Sequence, residues 1–184
     1  FRGNQKMDKT NKTNRNLRVL LYGALCIALS FALSYVKLFS MPMGGSITLC
    51  SMLPLCLYAC AFGPKYGFLA AFAYGVLQVV QGAYIVHPAQ FVLDYFLAFT
   101  ALGLASLLPK KYALGTAVGG FARMLCSVVS GAVFFGSYAA EAGWSNAWVY
   151  SFVYNLTSIG VDTALCVIVA LLPPVKKLVN RLAA

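Results

Sequence analysis

Six apolar stretches dominate this sequence, and short polar or Gly- and Pro-containing segments separate them. Most of these stretches approach the roughly 20 residues that a helix needs to cross a lipid bilayer. Pro54 falls inside the second stretch, a position that bundled membrane helices tolerate because their neighbours satisfy the freed backbone groups. We therefore predict an all-α integral membrane protein, a bundle of six transmembrane helices over residues 18–36, 47–62, 66–81, 89–108, 112–135 and 147–172.

Composition agrees with a membrane location. Hydrophobic residues make up 61% of the 184 residues and charged residues only 10%, whereas a soluble domain carries about 25% charged residues. No internal repeat indicates two inverted halves, so we expect one membrane domain over residues 18–172. Basic tails over 1–17 and 173–184 flank it. Met7 is a candidate native start, which would make the six residues before it a remnant of the expression vector.

The distribution of basic residues predicts the orientation. The net charge of +10 raises the possibility of nucleic-acid binding, but the basic residues sit in the tails and short loops rather than along one face. With the N-terminus in the cytoplasm, twelve of the fourteen Lys and Arg residues fall on the cytoplasmic side. Lys37 lies outside and Arg123 lies within the fifth helix. The positive-inside rule therefore places both termini in the cytoplasm.

Motifs for catalysis and cofactor binding are absent from the sequence. There is no Walker A sequence, no HExxH and no nucleophile elbow. The six Cys residues have no CxxC spacing; Cys56 and Cys60 share a helix face, but a buried free Cys usually behaves as a small hydrophobic residue. The single His, His87, precedes Pro88 in an outer loop and is expected to be a loop residue. We therefore expect neither an enzyme nor a bound cofactor or metal.

Asp94 is the strongest candidate for a binding residue. It is one of four acids and lies near the outer end of the predicted fourth helix, in an apolar region where a carboxylate without a counter-charge is costly. One interpretation is a helix-start acid stabilised by the helix dipole, and the other is a counter-ion for a cationic ligand. Tyr84, Tyr95, Tyr150 and Trp148 are candidates for stacking or cation–π contacts, although aromatic residues also anchor helices at membrane boundaries.

Polar residues deeper in the predicted helices admit two interpretations. Asn155 in the sixth helix and Ser127 in the fifth either connect helices by hydrogen bonds or contact a ligand. Arg123 and Asp162 lie at comparable depths, and either would be expensive without a partner. We predict that these two residues form a structural pair and do not contact the ligand.

Four segments together resemble a known family. They are MPMGGSITLCSMLP, FGPKYG, YGVLQVVQGAYIVHPAQFVLDYFLAF and the run SGAVFFGSY…WVYSFVYN, within residues 18–170. In order and spacing they resemble the thiamine-specific substrate-binding components of energy-coupling factor transporters. The resemblance implies a six-helix bundle that captures thiamine from outside the cell. Such a component docks on a membrane scaffold subunit that two ATPase subunits drive.

The resemblance also implies roles for individual residues. The family's acid that neutralises the thiazolium ring corresponds to Asp94. Ser127 stands where some relatives have a ligand-contacting His, which puts the affinity or the choice of ligand in question. The other contacts that the resemblance assigns are Tyr84, Tyr95, Gln90, Phe135, Tyr150 and Asn155, the last two against the pyrimidine ring.

Two further roles concern the partner and the entrance. Small residues four apart, as in Ala24-x-x-x-Ala28, allow close helix approach. The resemblance implies that this face docks on the scaffold subunit, and the alternative is a helix contact within the bundle. The segment 37–46 would form an outer lid.

Three other hypotheses remain open from the sequence. The same fold could bind a thiamine precursor or another vitamin, which competition by thiamine fragments would reveal. A membrane scaffold protein would bind no small molecule. An intramembrane enzyme would be active without partners.

Overall fold

The computed structural model describes residues 2–41 and 45–183. Within these ranges the chain forms eight helices and one antiparallel hairpin. In chain order they are α1 (Arg2–Tyr35), β1 (Lys37–Ser40), β2 (Ser46–Thr48), α2 (Leu53–Phe62), α3 (Pro64–Gly82), α4 (Pro88–Leu107), α5 (Tyr112–Phe134), α6 (Gly136–Glu141), α7 (Ala147–Leu171) and α8 (Pro173–Ala183).

Four of the described helices are long and apolar enough to cross a membrane: Thr13–Tyr35 of α1, and α4, α5 and α7. They correspond to the first, fourth, fifth and sixth predicted helices. The third, α3, has 19 residues, but its outer half contains Gln78 and Gln81, which lower its hydropathy. The second, α2, has only 10 residues. The helical membrane architecture is confirmed.

The prediction for residues 37–62 was wrong in part, because a hairpin replaces the expected loop and the first turns of the second helix. Lys37 pairs with Thr48, and Ser40 pairs with Ser46. Neighbouring Ile47 and Thr48 are β-branched and favour a strand. Pro54 lies in the first turn of α2, where a missing N–H costs nothing, so the helix begins there rather than continuing through the proline. Of the expected lid, residues 42–44 lie outside the described residues.

The helices pack around α5, which contacts α2, α4 and α7, while α3 packs between α1 and α4. Gly75 of α3 brings that helix close to α4, since a Cβ at this position would overlap the backbone carbonyl oxygen of Tyr95 and lie 3.2 Å from the Cβ of Phe99. Close helix approach through small residues is typical of membrane bundles. Contact at this position sets the place of α4, which carries Asp94.

Both predicted tails are helical in the described residues. Helix α1 continues through the boundary expected at residue 18, and α8 forms the C-terminal segment. Val179 of α8 is buried against the bundle, and the Tyr112 hydroxyl donates a hydrogen bond of 2.6 Å to the Asn180 side-chain oxygen. The tail helix is therefore attached to the membrane domain.

Candidate functional site

A cavity of about 260 Å³ lies between α3, α4, α5, α7 and the hairpin. Its volume suits one small molecule. Helix α5 contributes a stripe of four residues at every fourth position, which share one face of the helix: Arg123, Ser127, Gly131 and Phe135. The stripe runs from Arg123, about halfway along α5, to Phe135, which directly follows the helix. The exposed lining residues Lys37 and Tyr84 place the mouth of the cavity at that end.

Helix α4 contributes its residues through an irregular turn. Residues Val92–Leu97 form a π segment, in which hydrogen bonds close over five residues instead of four. Asp94, Tyr95 and Phe99 all line the cavity from this part of the helix. Asp94 in this segment and Phe99 just after it are five residues apart, and both line the cavity. Such segments occur often at functional sites.

The carboxylate of Asp94 accepts a hydrogen bond of 2.7 Å from the Gln90 side-chain nitrogen. Gln90 is only 1% exposed; its nitrogen also donates to the Tyr84 carbonyl, at 3.2 Å, and its oxygen accepts from the Val86 N–H, at 3.1 Å. The amide is thus already engaged within the protein. Gln90 lines the cavity, and its contacts hold Asp94 and the preceding loop in place.

Asp94 has no cationic partner among the described residues. Its hydrogen-bond donor is the neutral Gln90 amide, and no Lys, Arg or His side chain in residues 13–41 or 45–182 forms an ion pair with it. A half-buried carboxylate with only a neutral donor favours a positively charged ligand. His87, which lies in the same outer region, caps α4 instead: its Nδ1 accepts a hydrogen bond of 3.1 Å from the Ala89 N–H.

Aromatic side chains surround the half of the cavity nearest its mouth. The rings of Tyr84 and Phe135 stack at 6.1 Å between centroids, and the Tyr95 hydroxyl accepts a hydrogen bond of 2.8 Å from the Tyr84 N–H. The Tyr84 and Tyr138 hydroxyls lie 2.7 Å apart. This hydrogen bond to Tyr84 raises the pKa of Tyr138, which lies in the short helix α6. The loop before α4 is therefore attached to both neighbouring helices.

Helix α7 brings Tyr150 and Asn155 to the opposite wall. The Tyr150 ring packs against Trp144 at 6.0 Å between centroids. The Asn155 side-chain nitrogen donates to the backbone oxygens of Ser151, at 2.9 Å, and Ser127, at 3.3 Å. Asn155 therefore connects α7 to α5 and lines the cavity at the same time. The connection between the two helices is observed, and the contact of Asn155 with a ligand stays a prediction.

Eight of the nine predicted ligand contacts line this cavity: Tyr84, Gln90, Asp94, Tyr95, Ser127, Phe135, Tyr150 and Asn155. Trp148 is the exception, and its prediction was wrong. Its side chain is 54% exposed on the outward face of α7. Trp148 is two residues from Tyr150, so the helical turn places the two side chains on different faces.

The predicted direct pairing of Arg123 with Asp162 is also wrong. Within the described residues, the Arg123 guanidinium lies over the Phe99 ring at 4.3 Å, and its Nη1 lies 3.5 Å from the Met52 sulfur. The Asp162 carboxylate accepts a hydrogen bond of 3.0 Å from the Thr48 hydroxyl. Both charged residues line the cavity and do not close on each other. Thr48 of the hairpin therefore contacts Asp162, a role that was predicted from the sequence for Arg123.

Several lining residues were not identified from the sequence. Gln78 and Gln81 could have been identified from the sequence, because they are polar residues in a largely apolar helix. Thr48 could not, because it was expected inside a regular helix. The other lining residues missed in this way include Ser34, Lys37, Ser51, Tyr74, Tyr154 and Ser158.

Comparison with known proteins identifies a family that matches this chain over the whole cavity lining. The family described as Thiamine transporter protein (Thia_YuaJ) matches residues 20–181, which include the whole cavity lining. The Thiamine transporter ThiT of Bacillus subtilis (strain 168) is 33% identical over 147 residues, covering 71% of this chain and 75% of that protein. The Thiamine transporter ThiT of Lacticaseibacillus paracasei is 27% identical over 176 residues, covering 85% and 86%.

A solved structure shares the architecture. The structure of ThiT from Listeria monocytogenes superposes with a TM-score of 0.69 at 25% identity, covering 88% of this chain and 98% of that chain. The similarity therefore extends over the membrane domain and is not confined to one motif.

Proposed function

This chain belongs to the Thiamine transporter protein family, and we propose that it captures thiamine outside the cell as the substrate-binding subunit of an energy-coupling factor importer. It is a multi-pass protein of the cell membrane and a transport subunit rather than an enzyme. Thiamine is a permanent cation that carries an aminopyrimidine ring. Its charge cannot be removed by deprotonation, so the binding site has to supply a counter-charge.

The carboxylate of Asp94 is the observation that carries this proposal. It faces the cavity, its hydrogen-bond donor is the neutral Gln90 amide, and aromatic rings lie around it. A carboxylate and a quaternary ring nitrogen attract strongly where water is excluded. The rings of Tyr84, Phe135 and Tyr150 add stacking and cation–π contacts on a flat cationic ligand.

The charges of the cavity wall support a ligand with one positive charge. Two carboxylates, Asp94 and Asp162, and one guanidinium, Arg123, line the interior. Arg123 lies within electrostatic reach of both acids and offsets one of them. Lys37 also lines the cavity but is exposed to solvent, which screens its charge. One negative charge remains in the wall, and one thiamine molecule neutralises it.

The proposed topology has six membrane crossings, by α1, α2, α3, α4, α5 and α7, with both termini in the cytoplasm. Helix α2 would cross together with the hairpin segment before it, since 10 helical residues span only about 15 Å. The basic turn Lys110–Lys111 and the basic helix α8 both come at the end opposite the cavity mouth, as the positive-inside rule requires.

The proposed partners are a membrane scaffold subunit and two ATPase subunits. Ala24 and Ala28 are both exposed on α1, between the exposed side chains of Leu21, Leu25 and Leu29. An outward-facing pair of small residues is available to a partner helix. This position supports docking on the scaffold subunit rather than a helix contact within the bundle.

Calorimetric titration of the detergent-purified protein with thiamine tests the proposal, with tryptophan fluorescence followed in parallel. We expect sub-micromolar binding and a fluorescence change, because Trp144 packs against the cavity residue Tyr150. A folded protein that binds no thiamine would refute the proposal. Tight binding of a pyrimidine fragment instead would favour the alternative ligand, a thiamine precursor.

Replacing Phe135 by Ala is expected to weaken thiamine binding by about 1 kcal/mol, roughly fivefold, because one ring of the cavity wall is lost. Trp148→Ala is the matched control: it removes a larger ring from the same end of the bundle, but from an exposed position. Calorimetry should find its affinity unchanged. Equal losses for both variants would indicate a general disturbance of the outer region.

A further inference from the structure

The cavity has a deep end with chemistry of its own, formed by Thr48, Ser51, Arg123 and Asp162. Arg123 lies twelve residues along α5 from Phe135, and Asp162 lies twelve residues along α7 from Tyr150. At 1.5 Å per residue, both charged groups are about 18 Å below the mouth. They lie toward the middle of the membrane, where a polar group without a partner is costly.

Asp162 is only half satisfied at this position. The residue is 3% exposed, and its Oδ2 accepts a hydrogen bond of 3.0 Å from the Thr48 hydroxyl. Its Oδ1 is buried and has no hydrogen-bond partner among the described residues. A buried carboxylate oxygen without a donor is unusual in proteins and costs free energy that a donor would recover.

Arg123 has unused donors beside the same cavity. A guanidinium group has five N–H donors, but the contacts of Arg123 are with the Met52 sulfur, a weak acceptor, and with the face of the Phe99 ring. The guanidinium and the Asp162 carboxylate do not form an ion pair with each other. An acceptor on one side and donors on the other therefore face a common space.

We propose that the deep end is a second polar subsite, in which Asp162 Oδ1 and the Arg123 guanidinium together bind an uncharged ligand group that both donates and accepts a hydrogen bond. The inference rests on the proposed function. Thiamine has two groups with this chemistry: the primary alcohol of its side arm and the amino edge of its pyrimidine ring. An anionic group does not fit, because Asp162 already offsets the charge of Arg123.

The subsite assigns separate tasks to the two acids of the cavity. Asp94 neutralises the charge of the ligand ring. Asp162 selects a neutral polar group at one end of the ligand. Loss of a hydrogen bond to a charged group is worth about tenfold in affinity. A site built to bind such a group rejects analogues that lack it, because its own buried polar atoms would be left without partners.

The test compares wild-type protein and the Asp162→Asn variant with three probes by calorimetry. The probes are thiamine, an analogue whose alcohol arm is replaced by ethyl, and an analogue without the pyrimidine amino group. We expect thiamine to bind Asp162→Asn about tenfold more weakly than it binds the wild type. The analogue that lacks the bound group should lose less than about twofold in affinity on the same substitution. Which analogue behaves in this way identifies the group.

Glu141→Gln is the matched control, since it makes the same carboxylate-to-amide change at an exposed residue that does not line the cavity. Its affinity for all three probes should match the wild type. A loss in Asp162→Asn that is equal for all three probes would overturn the subsite, and would indicate that water bridges Arg123 and Asp162 whatever the ligand. The wild-type titrations decide even if the variant does not fold: analogues that bind as tightly as thiamine exclude the subsite. Wild-type protein that binds no thiamine would instead refute the proposed function.

Discussion

The Asp94→Asn variant should bind thiamine more weakly than the wild-type protein by about 2 to 5 kcal/mol, the range for truncating one partner of a buried charge pair. The change keeps the side-chain shape and the possibility of a hydrogen bond with Gln90, but it removes the negative charge. The cation would then enter a wall in which Arg123 and Asp162 offset each other. Calorimetric titration of both proteins measures the difference.

Glu141→Gln is the control for this result. Glu141 is the other described acid at the outer end of the bundle; it is exposed at the end of α6 and does not line the cavity. Its replacement makes the same chemical change near the same membrane surface, so it corrects for a general electrostatic attraction of the cation. Its affinity should match the wild type. An Asp94→Asn protein with unchanged affinity would remove Asp94 from the binding site.

Gly75→Ala is expected to lower both stability and thiamine affinity, although Gly75 does not line the cavity. The new methyl group would overlap the backbone carbonyl oxygen of Tyr95, which cannot move without moving α4. Overpacking of this kind costs about 1 to 3 kcal/mol. Because Tyr95 follows Asp94 directly, any shift of α4 also displaces the carboxylate. Thermal unfolding in detergent measures the loss of stability, and thiamine titration measures the loss of affinity.

Gly136→Ala provides the comparison. A Cβ at Gly136 would lie 3.7 Å from the Cβ of Ala147, an ordinary contact. This variant should unfold at the wild-type temperature and bind thiamine normally. If Gly75→Ala behaves in the same way, the packing of α3 against α4 does not set the position of the binding residues.

Much of the architecture could be predicted because a bilayer leaves few choices for the backbone. The apolar stretches identify α1, α4, α5 and α7, since a spanning segment has to be long, apolar and helical. The hairpin could not be predicted in the same way. Strand β1 is exposed and only β2 is partly buried, and a short apolar strand has no period that separates it from the start of a buried helix.

Some residues of the candidate site could be predicted from the sequence and others could not. The resemblance supplied most of the cavity residues, because its motifs fall on helix positions that the structure places together. Arg123 was interpreted from depth alone, and depth along a helix does not determine which side the residue faces. Trp148 failed for the same reason: it was placed near the mouth correctly, but on the wrong face of α7. Whether a helix residue faces the cavity depends on how the neighbouring helices pack, and a single sequence does not specify that packing.

The π segment of α4 makes the length of this helix part of the binding site. An α-helix rotates by about 100° for each residue, so deleting one residue between Asp94 and the C-terminal end of α4 would turn Asp94, Gln90 and the cap at His87 away from the cavity together. Residues of this segment that do not line the cavity can be exchanged singly, but the number of residues in the segment cannot change. Insertions and deletions should therefore be confined to the loops around α4, and an alignment that requires a gap inside residues 88–107 would indicate a different ligand site.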